Sequence, residues 1–85
     1  MVATKADLIN WVYDALLSFG GKARIVAVAQ HIWEHHEQEL QDAGDLFFTW
    51  QYDMRWAAQE LRDTGKCKPA SEVPRGVWQL SKTSR

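Results

Sequence analysis

Residues 50–81, WQYDMRWAAQELRDTGKCKPASEVPRGVWQLS, contain the two patterns that decide the fold of this chain. The first half of the stretch has a helical period, because its apolar side chains fall within an arc of about 100° at helical steps. These side chains are Trp50, Met54, Ala57, Ala58 and Leu61. The pattern predicts a helix over 49–64 that Asp45 or Thr49 caps and that Gly65 ends.

The second half of the stretch, residues 66–81, predicts an antiparallel hairpin of two short strands. Pro74 and Gly76 favour a tight turn, which places Arg75 at or near its tip. Trp78 lies in the second strand, where its large ring would anchor the hairpin to the core. A charged tip on an anchored stem is suited to a phosphate contact, although a soluble turn that happens to contain arginine is the alternative.

The chain before this stretch predicts two further helices and one short strand. A helix over 4–19 begins with a Thr-x-x-Asp capping pattern and ends at a glycine pair. A strand over 22–25 and a helix over 26–40 follow, and the stretch QDAGDLFF (41–48) predicts a loop around Gly44. The order helix, strand, helix, helix, hairpin predicts an α+β, mostly α, winged helix-turn-helix that occupies residues 1–85 as one domain.

Composition excludes several classes of protein. The single cysteine, Cys67, allows no intramolecular disulfide, which favours a reducing cytoplasm, and we interpret it as a small strand residue rather than a reactive thiol. The first ten residues lack the apolar run of a signal peptide, and no run of 18 apolar residues is present. We therefore expect a cytoplasmic protein with no membrane segment.

Charge is distributed unevenly along the chain, although the formal net charge is only −1. Residues 1–61 carry four basic and nine acidic side chains, a balance of −5. Residues 62–85 carry six basic and two acidic side chains, a balance of +4. Because binding depends on the local field rather than on the total charge, the second part of the chain favours a polyanionic partner.

The predicted helix over 49–64 has a polar stripe beside its apolar face. The stripe contains Gln51, Arg55, Gln59 and Arg62. The acidic residues of this helix, Asp53, Glu60 and Asp63, fall on the other side. Arginine pairs with guanine and glutamine with adenine through two hydrogen bonds each, so this stripe is suited to the major groove of DNA. The alternative is an ordinary solvated helix face.

Basic residues outside the stripe complete a predicted surface for double-stranded DNA. Lys66, Lys68, Arg75 and Lys82 would contact phosphates through the hairpin and its flanks. Lys22 and Arg24, just before the second predicted helix, would add further phosphate contacts.

Enzymatic residues are not evident in the sequence. It contains no phosphate-binding glycine loop, nucleophile motif or isolated carboxylate pair, so we expect no catalysis, no cofactor and no small-molecule substrate. His31 and His35 share a helix face, as some zinc ligands do, but no convincing third ligand accompanies them. A solvated histidine face that titrates near neutral pH is the preferred interpretation.

The motifs WQYDMRWAAQELRDTG (50–65) and PRGVWQLS (74–81) resemble the N-terminal winged-helix domain of Mrr-type restriction proteins. The matching positions are Arg55, Trp56, Ala57, Leu61, Arg62, Gly65, Arg75, Gly76, Val77, Trp78, Leu80 and Ser81. The resemblance implies a DNA-binding module, restriction-associated or regulatory, which in that family is usually joined to a nuclease domain. That nuclease domain is not present in these residues, and the stretch 65–76 is longer than is usual in the family.

A protein-interaction or dimerisation module with the same fold is the alternative function. The acidic stretch 34–45 would repel a duplex that approached from its side. Trp56 lies off the apolar arc of its helix, where either the wing or the first helix would cover it or a partly exposed ring would form a dimer contact. The sequence leaves a homodimer open.

Overall fold

The computed structural model describes residues 3–81, which form a small α+β arrangement dominated by helices. Within this range the elements are α1 (Asp7–Ser18), β1 (Lys22–Arg24), α2 (Ile25–Gln41), α3 (Leu46–Asp63), a short 3-10 turn (Ala70–Glu72) and β2 (Val77–Gln79). β1 and β2 form a two-stranded antiparallel sheet. The mostly helical α+β class expected from the sequence is therefore confirmed.

The core lies where the three helices meet, and one stripe of each helix is buried in it. Leu8, Val12 and Leu16 of α1 and Val28 and Ile32 of α2 have no exposed surface. The face predicted for α3 is confirmed, since all five of its apolar residues are at most 5% exposed. Burial of these side chains is the main term that stabilises so small a domain.

The start of α1 follows from the Thr-x-x-Asp pattern. The backbone N–H of Thr4 donates to Asp7 Oδ2 at 2.9 Å, which is half of a capping box. The helix itself begins at Asp7 rather than at Thr4, because Lys5 and Ala6 form a turn that precedes it. At the other end, Gly20 and Gly21 both have positive φ, the conformation that releases the chain toward β1.

α3 begins three residues earlier than the predicted 49–64. Leu46 is only 8% exposed and lies one turn before Trp50 on the same face, so its burial extends the helix toward Gly44. Neither predicted cap is observed: Asp45 occupies the N-cap position without a side-chain cap bond. Thr49 lies inside the helix and donates to Asp53 Oδ2 at 2.7 Å.

The predicted hairpin over 66–81 is only partly formed. β2 pairs mainly with β1, in a register that places Ala23 opposite Trp78, and the first arm of the hairpin is reduced to one bridge between Cys67 and Leu80. Pro69 follows this arm directly and has no N–H to donate, and the 3-10 turn then carries the chain away. Trp78 is 4% exposed, so its predicted anchoring role is confirmed.

α2 runs one residue beyond the predicted 26–40 at each end and is distorted at His36, whose φ of −134° and ψ of 21° are not helical. The His36 ring stacks on Trp11 of α1, with centroids 3.9 Å apart and planes 8° apart. His36 Nδ1 also lies 2.6 Å from Glu39 Oε1. The distortion therefore coincides with an aromatic contact between α1 and α2. Across residues 3–81, no helix combines the length and the apolar character needed to cross a membrane.

Candidate nucleic-acid interface

The predicted polar stripe of α3 faces the chain that leads into β2. Between them lies a cavity of about 610 Å³, which Arg55, Gln59 and Arg62 line from the helix side. Ala70, Val73, Pro74 and Arg75 line it from the other side. Two regions that the sequence predicted separately, the stripe and the charged turn, are thus brought together by the fold.

A second cavity adjoins the first on the side of β1. Arg24, Gln51, Arg55 and Arg75 are among the residues that line it. Arg55 and Arg75 are common to the two cavities, so the cavities form one continuous surface. We call this surface the arginine cleft and define it by Arg24, Arg55, Arg62 and Arg75.

Two backbone contacts and one buried side chain position the arginine cleft. The Ile25 N–H donates to the Gly76 carbonyl at 2.9 Å, which ties the start of α2 to the residue after Arg75. Arg24 and Val77 are directly opposite each other in the β1–β2 register. Buried Trp78 then fixes β2 against the core. The three elements that carry the four arginines are therefore held together by main-chain bonds and apolar packing rather than by the arginines themselves.

The arginine cleft is not neutralised by nearby acids. Across residues 3–81 the ion pair within 4.0 Å is that of His36 with Glu39, and no lysine or arginine of this range takes part in one. The Arg55 guanidinium donates from Nη1 to the Gln51 carbonyl at 3.1 Å, which orients it along the helix without cancelling its charge. Four guanidinium groups without carboxylate partners create a local positive field.

The separation of acids from the stripe is less complete than the sequence indicated. Gln59 Nε2 donates to Asp63 Oδ1 at 2.9 Å, one turn along the helix. Gln59 and Asp63 are only about 40° apart around a helix axis, so long side chains bridge the gap between the two faces. In this conformation one donor of Gln59 is engaged, whereas the guanidinium groups of Arg55 and Arg62 have no carboxylate neighbour in the described chain.

The predicted lysines do not line the arginine cleft. Lys22 is exposed and pairs with Gln79 in the sheet, and half-buried Lys68 donates its backbone N–H to the Gln79 carbonyl at 2.9 Å. Lys66 Nζ lies 6.0 Å from the centre of the Tyr13 ring of α1. These three lysines therefore lie around the sheet and α1, outside the cavities. Lys82 falls outside the described residues.

Cys67 is an inert thiol. It is 3% exposed and packs in the core, and burial raises its pKa, an effect that nearby Arg62 opposes only in part. A thiol that is buried and protonated is a poor nucleophile. The interpretation of Cys67 as a small structural residue is thus supported by both its burial and its pKa.

The histidines of α2 form a stacked pair rather than an open ligand set. The His31 and His35 rings are 4.0 Å apart and nearly parallel, and His35 Nδ1 lies 2.9 Å from the His31 carbonyl oxygen. His31 Nδ1 is buried and has no hydrogen-bond partner in the described chain. Burial, and then the neighbouring His35, lower the pKa of His31. Residues 3–81 contain no group of three or more side chains arranged to hold a metal ion.

Trp56 is half-buried, and an element that precedes α1 covers part of it. Lys5 Nζ lies 4.4 Å from the centre of the Trp56 ring, a distance that permits a cation–π contact. The wing or the first helix was expected to cover Trp56; the contact observed comes instead from Lys5, in the turn that precedes α1.

Sequence reasoning missed a second surface, which lies between α2 and α3. A cavity of about 610 Å³ is lined there by Val26, Ala29, Trp33, Phe47 and Trp50, with Gln30, Glu34 and Gln51 at its polar positions. We call it the aromatic groove. The stretch that contains Phe47 was predicted to be a loop, so its helical spacing to Trp50 was not considered. That spacing, together with Trp33, was the signal in the sequence.

Comparison of the chain with protein-family models, with curated proteins and with solved structures gives no match. The resemblance to Mrr-type N-terminal domains therefore remains a prediction from the two motifs.

Proposed function

We propose that residues 3–81 form a winged-helix module that binds double-stranded DNA, with α3 in the major groove and the chain around Arg75 on the phosphates. The order of elements supports this fold, because β2 lies between β1 and the Cys67 segment as a wing strand would. Arg55, Gln59 and Arg62 on α3 would contact base edges. Arg75 and Arg24 would contact the backbone on either side.

The observation that carries the proposal is the convergence of four unpaired arginines in the described chain. They come from β1, α3 and the segment before β2, and none lies within 4.0 Å of a carboxylate from residues 3–81. Like charges repel, so this cluster opposes folding rather than stabilising the fold. A polyanion relieves that repulsion, and arginine is the side chain best matched to phosphates and to guanine.

A salt-dependent titration with a mixed-sequence duplex tests the proposal. If Arg24 and Arg75 each neutralise one phosphate, the logarithm of the binding constant should fall against the logarithm of salt concentration with a slope of about −1.8. The quadruple variant, with all four arginines changed to glutamine, should lose duplex binding and keep its helical circular dichroism. Salt-independent binding, or full binding by the quadruple variant, would contradict the proposal.

A net-charge control separates the arginine cleft from general attraction. Lys5→Ala removes one positive charge from the N-terminal turn, where the side chain contacts Trp56 and not the cleft. We expect Lys5→Ala to leave the affinity within about twofold of the unsubstituted chain, because an exposed distant charge is screened at ordinary salt. An equal loss in Lys5→Ala and in a cleft variant would mean that only total charge matters.

A further inference from the structure

We infer that the aromatic groove is a docking site for a basic amphipathic segment of a partner protein. The inference does not depend on DNA binding, because it concerns a groove made by α2 and the first turns of α3, which adjoins the arginine cleft but contains none of its arginines. It follows from the shape of the groove, from the continuity of its aromatic lining and from the charge around it.

The aromatic lining forms a continuous chain of rings. Trp50 and Trp33 have centroids 6.1 Å apart and planes 11° apart, and Trp33 and Phe47 have centroids 6.4 Å apart. Phe47 then meets Phe48 edge to face at 5.1 Å. Phe48 is 83% exposed, so the aromatic surface continues out of the groove into solvent.

Several apolar side chains at this surface remain partly exposed. Val26 lines the groove and is 53% exposed, and Trp33 and Phe47 are only half-buried. A cavity of about 610 Å³ accommodates several apolar side chains of a ligand or peptide. Aromatic residues in a partly desolvated pocket are the side chains that contribute most to protein interfaces.

The surrounding charge selects the partner. Residues 25–54 contain no lysine or arginine, whereas they contain six carboxylates. Glu34 lines the groove itself. A molecule that binds in the groove must therefore match an apolar floor and an acidic edge. A helix with leucine-type residues on one face and lysine or arginine beside them meets both requirements.

The same charge disfavours the other occupants. Stacked nucleobases would suit the aromatic rings, but their phosphates would approach Glu34, the charged side chain of the groove lining. A second copy of the chain in a symmetric dimer would bring two acidic edges into one interface, because a two-fold axis brings the same patch of both copies together. The basic partner avoids both repulsions.

Two synthetic helical peptides with identical leucine positions test the inference, one with lysine and one with glutamate at every polar position. Titration is followed by tryptophan emission, because Trp33 and Trp50 line the groove and burial shifts their emission to shorter wavelength. We expect saturable binding of the lysine peptide, and binding of the glutamate peptide that is at least tenfold weaker. Absence of saturable binding by the lysine peptide, or equal binding of the two peptides, would overturn the inference.

Val26→Asp distinguishes groove binding from simple charge attraction. It adds negative charge, so it would strengthen a purely electrostatic contact, but it places a carboxylate on the apolar lining. We expect this variant to bind the lysine peptide at least about tenfold more weakly, because an apolar side chain of the peptide cannot compensate the desolvated carboxylate. Unchanged or tighter binding by Val26→Asp would overturn the inference.

Leu17→Asp is the matched control, since Leu17 of α1 is also 53% exposed and lines none of the three cavities. It should bind the lysine peptide as the unsubstituted chain does, or slightly more tightly. Glu34→Gln leaves the apolar lining intact and should lower the affinity for the lysine peptide about two- to fivefold. A Glu34→Gln variant with unchanged affinity would remove the charge argument and overturn the choice of partner.

The remaining occupants are tested with the same variants. Sedimentation that shows a dimer abolished by Val26→Asp would assign the groove to a second copy of the chain. A single-stranded oligonucleotide that shifts the tryptophan emission and displaces the lysine peptide would assign it to nucleic acid. Either result would overturn the inference of a basic protein partner.

Discussion

Arg55 of α3 and Arg75 of the chain leading into β2 line the same two cavities, although they lie far apart in the sequence. Their approach depends on Trp78, which fixes β2, and on the hydrogen bond from the Ile25 N–H to the Gly76 carbonyl. The two guanidinium groups are therefore placed by contacts that do not involve their own charges. This separation of scaffold from charged surface makes the arginines suitable for substitution without loss of the fold.

The two proposed surfaces are neighbours on the molecule. Val26, Ala29 and Gln51 line both the aromatic groove and the cavity that adjoins β1. A partner in the groove would thus lie beside DNA in the arginine cleft. Because one surface is acidic and the other basic, each would exclude the ligand of the other.

Arg75→Ala should weaken the binding of all duplexes alike, because a phosphate contact contains no sequence information. We expect the slope of log affinity against log salt to become shallower by about 1. Arg75→Lys should restore most of the affinity, since a point charge is sufficient for a phosphate. A sequence-dependent loss on Arg75→Ala, measured by titration of several duplexes, would contradict this role.

Arg55→Ala should relax the sequence preference rather than weaken all duplexes equally. A bidentate contact with guanine contributes about 1–3 kcal/mol of discrimination. Arg55→Lys keeps the charge but loses the planar fork of the guanidinium, so it should retain general affinity and still lose preference. Selection from a random duplex library by each variant provides the measurement. A lysine variant with full sequence preference would show that Arg55 does not contact a base.

Trp78→Ala should destabilise the domain by about 3–5 kcal/mol, because it removes a large buried ring and leaves a cavity. Trp78 is 4% exposed and lies at the centre of β2. Phe48→Ala is the control: Phe48 is 83% exposed, so its loss should change stability by less than about 0.5 kcal/mol. Urea unfolding followed by circular dichroism measures both variants. Equal stability of the two variants would show that β2 does not anchor the fold.

Stability should decline as the pH falls through the ordinary pKa range of histidine, in part because of His31. Burial and the neighbouring His35 lower the pKa of His31, so the folded state favours neutral imidazole and the unfolded state binds more protons in this range. The contribution of neutral His31 to the free energy of unfolding is therefore complete above the pKa of this residue in the unfolded state. It is lost as the pH falls through the lower pKa of His31 in the folded state. His31 also faces the charges of Glu34, His36 and Asp14.

His31→Gln is the variant that tests this dependence. Urea unfolding across neutral to mildly acidic pH should give a flatter stability profile for His31→Gln than for the unsubstituted chain. Removal of His31 also removes the interaction with the adjacent His35 ring that helps to lower the pKa of His31. Parallel profiles of the two proteins would show that His31 has the same pKa in the folded and unfolded states.

Local patterns in the sequence predicted much of the fold. The helical spacing of Trp50, Met54 and Leu61 identified the buried face of α3, and the glycine pair after α1 identified the end of that helix. The start of α3 was missed because Leu46 was assigned to a loop before its burial was known. The hairpin was predicted to be longer than it is, because Pro69 shortens its first arm.

The candidate site was predicted in its parts but not in its assembly. The stripe with Arg55 and the turn with Arg75 were both identified from residue type and spacing, whereas the lysines proposed beside them lie outside the cavities or, for Lys82, outside the described residues. Gln59 was assigned to the stripe without its hydrogen bond to Asp63. A helical projection gives the direction of each side chain but does not show which hydrogen-bond partners a long side chain reaches.

The sequence by itself determined the helices, the buried stripe of α3, the buried position of Trp78 and the separation of charge along the chain. These properties depend on local periodicity and composition, which few distant contacts alter. Only the tertiary structure decided that β2 pairs chiefly with β1, that Arg24 joins Arg55 and Arg75, and that Trp33 and Phe47 line one groove. Such juxtapositions depend on how distant elements pack, and the physical reason is that long-range contacts are selected by burial and main-chain pairing rather than by spacing along the chain.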